Sequence, residues 1–115
     1  MEFFTRLKAR CIWSWEGCVD TWRAEPSFRQ WVWVNIISVS LAFLLPLEPG
    51  ERALILVLGL LVLVAELFNS SIEATVDLVS PDVHPLAKRA KDAASAGVAL
   101  TAIAGGVAWL VILIG

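Results

Sequence analysis

Glu66, Asn69, Glu73 and Asp77 follow one another at intervals of 3, 4 and 4 residues. On an α-helix, at about 100° per residue, the four fall within an arc of about 80°. One helix face would then carry two carboxylates and an amide, with a third carboxylate at its far end. Glu66 comes directly after thirteen apolar residues, Ala53–Ala65. A carboxylate at the edge of such a run is expensive unless it has a task, and a carboxylate in such surroundings suits a general base. The competing reading is a polar stripe that glues helices together. Against it, two glutamates and an aspartate repel one another unless a cation joins them.

A second constellation follows. Lys88, Lys91, Asp92 and Ser95 share a helix face at i, i+3, i+4 and i+7, and Arg89 lies beside them. Acidic residues on one helix and basic residues on the next fit a metal–phosphate site, in which carboxylates hold Mg²⁺ and lysine neutralises phosphate oxygens. Salt bridging between two helices is the alternative. Ala90, Ala93, Ala94, Ala96 and Gly97 are small and allow close helix approach, as an oligomer or tight bundle needs. His84 stands alone in a Ser80–Pro85 loop and makes no metal site by itself. The phosphate-loop, dinucleotide-binding and HExxH motifs are all absent, which argues against the soluble nucleotide-binding folds and zinc hydrolases.

The elements that carry these residues are apolar. Of 115 residues 58% are hydrophobic and 17% charged, the net charge is −2, and the mean hydropathy is +0.75. A soluble chain of this length cannot bury that much apolar surface, so the expectation is an all-α membrane protein, one domain over 1–115. Residues 3–24 read as an amphipathic helix lying on the membrane surface, within an N-terminal segment 1–29. Phe4, Leu7, Cys11, Trp15, Cys18 and Trp22 share its apolar face. Five of the six tryptophans lie between Trp13 and Trp33, as at a headgroup boundary. Cys11 and Cys18 share a face and cannot bond to each other. Three transmembrane helices follow, at 31–47, 51–79 and 86–114, with a loop at 80–85. The second is roughly 40 Å long and should project beyond the bilayer. No cleavable signal peptide is expected. Eight of the nine basic residues fall in the N-terminal segment and around the 79–90 loop, and Arg52 alone lies on the other side. The positive-inside rule therefore assigns both segments to the cytoplasm.

The stretch from Glu66 to Asp77, Glu-Leu-Phe-Asn-Ser-Ser-Ile-Glu-Ala-Thr-Val-Asp, followed by His84-Pro-Leu-Ala-Lys-Arg-Ala-Lys-Asp92, resembles the bacterial membrane diacylglycerol kinase family. The likeness extends upstream to Phe4-Thr-Arg6, Ser14-Trp15, Trp22, Glu25 and Phe28-Arg-Gln30, and so covers nearly the whole chain. It implies a homotrimer of three-helix subunits, with sites completed by neighbouring subunits. The implied reaction is transfer of the ATP γ-phosphate to the primary hydroxyl of a membrane lipid, at the cytoplasmic face of the bacterial inner membrane. By this resemblance Glu66 is the general base and Asn69 helps to place it. Glu25 and Glu73 hold Mg²⁺. Arg6, Trp13, Glu25, Glu73, Asp82, Val83, His84, Lys91 and Asp92 belong to the ATP end. Arg6, Trp15, Trp22, Phe28, Arg29, Trp31, Glu66 and Ser95 belong to the lipid. No nucleic acid is implied.

The chain departs from the family at Trp31, where close relatives often carry Glu, and at Trp13, which replaces a Tyr. His84-Pro-Leu-Ala-Lys resembles the branch whose lipid is undecaprenol. Phe28-Arg-Gln and Ala90-Lys-Asp-Ala-Ala-Ser-Ala resemble the branch whose lipid is diacylglycerol, which is the preferred reading. A cation- or proton-handling membrane protein is a different class that intramembrane carboxylates would also serve. The Lys91-Asp92 pair and the basic loop speak against it. A structural trimer without activity leaves Glu66 unexplained.

Overall fold

Pro26, Pro49 and Pro85 each stand at the opening of a helix. Proline is pre-set for that position, because its fixed φ is helical and its missing N–H would be unpaired there anyway. In the computed structural model, which describes residues 2–115, these prolines punctuate four helices. They are α1 (Glu2–Ala24), α2 (Pro26–Leu44), α3 (Pro49–Val79) and α4 (Pro85–Ile114).

The boundaries differ from the sequence expectation where proline sets them. Residues 26–29, grouped above with the surface segment, open α2, since Pro26 starts a helix rather than continuing one. α2 ends at Leu44, and the chain from Leu45 to Glu48 is extended around Pro46. α3 begins two residues early, at Pro49, behind a capping box in which Glu48 and Glu51 satisfy each other's backbone N–H groups. α4 is capped by His84, whose Nδ1 accepts the Leu86 N–H at 3.1 Å.

α3 is the central element, with α4 along one flank and α2 along the other. The buried cluster is small: Ala42, Ile55 and Ala108, one from each helix, with Leu47, Leu58, Trp109 and Ile112 against it. Two alanines let three backbones approach at the end of the bundle near the α2–α3 turn. Arg52 closes that turn. Its Nε donates to the Ala42 carbonyl at 2.7 Å, its other end reaches the Leu47 carbonyl at 3.3 Å, and its guanidinium lies over the Phe43 ring. The terminal carbonyls of α2 thereby gain a cation, as helix C-termini favour.

Most large apolar side chains are uncovered, including Leu44, Leu100, Leu113 and Ile114. Helices with so much exposed hydrocarbon need an apolar solvent. α3 and α4 are long and apolar enough to cross a membrane. α2 is not among the helices that pass that test, because Arg29, Gln30 and Asn35 dilute its apolar residues. α1 buries none of its residues, and Phe3, Phe4, Trp13 and Trp15 are exposed. Its apolar stripe is therefore not spent on its own chain, which agrees with a helix at a membrane surface.

Two contacts show how closely the three helices meet. A Cβ on Gly59 would lie 2.2 Å from Asn35 Oδ1, so any larger residue there would have to displace the Asn35 side chain where α2 meets α3. Across the opposite gap Trp109 Nε1 donates to Ser38 Oγ at 2.8 Å and joins α4 to α2 over α3. In an apolar medium the lost partner cannot be replaced by water, yet measured interhelical bonds average ~0.6 kcal/mol and reach ~1.7. A double-mutant cycle of Trp109→Phe and Ser38→Ala, read by unfolding in detergent, should give a coupling of about 0.5–1.5 kcal/mol. Strict additivity would mean that the bond does not hold the bundle.

Candidate functional site

The polar stripe of α3 meets the α1–α2 hinge. Glu66 is only 5% exposed and is the one buried polar or charged residue among those described. The donors come from α2, which starts beside it. Ser27 Oγ donates to Glu66 Oε2 at 3.2 Å. The side chain of Trp31, one helical turn further on, also reaches that carboxylate.

Glu25 sits at the N-cap of α2, where an acid normally accepts the helix's own first N–H groups. It makes no such cap bond. Its carboxylate is turned to α3 instead, where Ser70 Oγ donates to Glu25 Oε1 at 3.3 Å. The hinge and α3 are thus tied reciprocally. A serine of the hinge serves the carboxylate of α3, and a serine of α3, one turn on, serves the carboxylate of the hinge.

Asn69 lies between these ties. Its Nδ2 donates to Glu73 Oε1 at 3.1 Å, while its Oδ1 is buried without a partner among the described residues. A buried acceptor without a donor costs about 1–3 kcal/mol, so a native chain that keeps one has a use for it or a partner still to come. Glu66, Asn69 and Glu73 thus share one face of α3, and Glu25 is tied to that helix through Ser70.

A second group sits where α3 gives way to α4. Asp77, Asp82, Val83, His84, Lys88, Lys91 and Asp92 line an open cavity of about 270 Å³. Lys91 forms an ion pair with Asp77 between the helices, and Lys88 pairs with Asp92 within α4 at 2.5 Å. The cavity is thus mixed in charge, with three aspartates against two lysines, and interhelical salt bridging is present within it. Glu66, Glu73 and Asp77 thus lie at successive levels of α3, from the buried carboxylate to the mixed-charge cavity at its end.

The residues of α1 do not join either group within a single chain. Arg6, Trp13 and Trp15 are exposed, and so is Ser95 on α4. Phe28 is covered, at 5% exposure. Arg29 donates to the Trp22 carbonyl at 2.5 Å and to the Arg23 carbonyl at 3.3 Å, which caps the C-terminus of α1. Sequence reading missed Ser27 and Ser70. Ser70 stood inside the quoted Glu66–Asp77 stretch without a role of its own, and Ser27 lies 39 residues from its partner, where no spacing rule applies.

These features define a class: a small helical membrane protein with a buried carboxylate between helices, next to a cavity lined by aspartates and lysines. The model of the prokaryotic diacylglycerol kinase family matches residues 12–113. A diacylglycerol kinase of Pseudomonas aeruginosa is 50% identical over 101 residues, covering 86% of this chain and 80% of the relative. One of Escherichia coli K12 is 34% identical over 110 residues, covering 96% and 90%. One of Helicobacter pylori 26695 is 41% identical over 93 residues, covering 81% and 73%. The chain belongs to the prokaryotic diacylglycerol kinase family.

The Asp77–Lys91 pair is half open to solvent, and exposed pairs contribute roughly 0–1 kcal/mol. Asp77→Ala should therefore lower stability in detergent by about 1 kcal/mol or less. A loss of several kcal/mol would show that this pair holds α3 to α4.

Proposed function

We propose that the protein is an ATP-dependent lipid kinase that transfers the γ-phosphate to the primary hydroxyl of diacylglycerol, giving phosphatidic acid. The observation that carries this reading is Glu66, a carboxylate buried between helices and held by donors, in a chain of this family. Membership implies ATP as co-substrate and a lipid as acceptor.

Glu66 takes the proton of the lipid hydroxyl as its oxygen bonds to the γ-phosphorus. The bond from that phosphorus to the β,γ-bridging oxygen breaks, and ADP leaves. Glu66 lies about two turns of α3 from Glu73, on the side of the apolar run, where a lipid headgroup can meet phosphate. Asn69, one turn along α3 from Glu66, fixes Glu73 through its amide N–H. Lys91 supplies positive charge to phosphate oxygens, with Asp92 and the Asp82–His84 loop around the nucleotide. Arg6 and Trp13 serve the same end. The lipid lies along Trp15, Trp22, Phe28, Arg29, Trp31 and Ser95.

Among the described residues no three His, Cys, Asp or Glu side chains are gathered so as to enclose a metal ion. Mg²⁺ keeps several waters and takes substrate phosphates rather than an all-protein cage, so it requires few protein ligands. Glu25 and Glu73 would hold it, and Asn69, whose Oδ1 is unpaired, has a neutral oxygen of the type a hard cation accepts. Bound there, magnesium neutralises charge on the phosphates.

α2 serves as the first of three transmembrane helices, shorter and more polar than the others, with α1 on the cytoplasmic surface. The skewed distribution of Lys and Arg supports a cytoplasmic site in the bacterial inner membrane. A homotrimer would cover the exposed small residues of α4 and bring α1 of one subunit to the site of another.

The direct test is phosphotransfer in mixed micelles with ATP and Mg²⁺, offering diacylglycerol and undecaprenol in parallel. Phosphatidic acid should form faster than undecaprenyl phosphate. The reverse preference would reassign the lipid, and no transfer to either would overturn the kinase reading. Glu73→Gln should abolish turnover across a Mg²⁺ titration while insertion and assembly persist. Full activity would remove Glu73 from the metal.

A further inference from the structure

Ser27 has no structural duty at the start of α2. It is the second residue of the helix, after Pro26. Serine earns its place at a helix start as the N-cap, where its oxygen accepts backbone N–H groups. Here the N-cap is Glu25, and Ser27 makes no bond to its own helix. Its hydroxyl is instead directed across to α3, where it donates to Glu66 Oε2.

The geometry assigns Ser27 as the positioning residue of Glu66: it holds one carboxylate oxygen so that the carboxylate plane is fixed toward the acceptor hydroxyl. The inference rests on Glu66 as the base of the proposed reaction. Ser27 touches neither lipid nor phosphate in this role, and acts only through Glu66.

Three observations support it. First, Glu66 is almost fully covered, so water cannot serve its carboxylate freely, and a buried carboxylate needs donors to remain ionised and ordered. Second, an ionised carboxylate offers about four lone-pair sites, so a single hydroxyl donor orients it without exhausting its capacity to take a proton. Third, the chain leading into Ser27 is anchored twice. Pro26 fixes the backbone before it, and Glu25, two residues earlier, is bonded to Ser70 one turn beyond Glu66 on α3. The hydroxyl is therefore held in register with Glu66 rather than carried on a loose loop. Trp31 lies one turn along the same face of α2 and reaches the same carboxylate. A neutral donor at 27 and an indole at 31 surround the base without adding negative charge.

A positioning role differs from a structural one in what it changes. Ser27→Ala removes the donor and leaves the helix start intact, because Pro26 and Glu25 remain. The variant should insert, assemble and keep its unfolding midpoint within a few degrees. Its kcat in mixed micelles should fall roughly tenfold or more, as expected for a bond to a charged group. KM for ATP and for lipid should stay within about twofold, since neither substrate loses a contact. Ser27→Thr keeps the hydroxyl and should restore most of kcat. An unchanged kcat in Ser27→Ala, with wild-type protein active, would overturn this inference alone. So would a rise in both KM values at constant kcat, or a Thr variant as slow as the Ala variant. A wild-type protein silent toward every lipid alcohol would overturn the kinase reading and this inference together.

Discussion

A carboxylate that is 5% exposed on a helix next to a long apolar run is the constraint around which this molecule is arranged. Ionised, it cannot remain there without donors, because the surrounding medium offers none. The α1–α2 hinge supplies them. Pro26 turns the chain into α2 beside Glu66, Ser27 donates to it, and Glu25 forgoes its own helix cap to bond Ser70 on α3. The direction of α1 follows from that tie, since α1 touches the bundle little elsewhere. Small residues then matter for a secondary reason. Gly59 and the alanines at 42 and 108 let α2 and α4 close on α3, so that the hinge lies where the carboxylate needs it.

The remaining polar groups of α3 are disposed in order along the helix, each with a different kind of partner. Glu66 has the Ser27 hydroxyl, Glu73 has the Asn69 amide, and Asp77 has the Lys91 ammonium. The partners become more charged as exposure increases, which is the energetic order expected from apolar medium to water. An unpaired amide oxygen interrupts the sequence at Asn69. It is the place where the described chain is incomplete, and it adjoins the two carboxylates proposed to hold magnesium. The exposed face of α1 is a second incompleteness, which a membrane surface and neighbouring subunits would cover.

Much of this was legible before any coordinates. The 3-4-4 spacing put Glu66, Asn69, Glu73 and Asp77 on one face, and α3 presents them so. The prolines at 26, 49 and 85 mark where helices begin, although the hydropathy of residues 26–30 concealed that α2 starts before its apolar run. Ser27 and Ser70 were illegible for a different reason. Their partners are 39 and 45 residues away, and periodicity within one helix carries no information about which residue of another helix lies opposite. Arg29 shows the same limit. Its family resemblance pointed to the lipid, and in the chain its guanidinium caps α1, a role that depends on the angle of the hinge.

The central claim is that Glu66 is a base rather than a ligand or a strut. Glu66→Gln keeps size and hydrogen-bonding capacity and removes basicity. The most direct measurement is its kcat in mixed micelles alongside its affinity for a non-hydrolysable ATP analogue. General-base catalysis contributes roughly 10²–10⁴-fold, so kcat should fall by about that factor while analogue affinity is retained. A fall of less than about tenfold, or a joint collapse of kcat and nucleotide affinity, would contradict the account.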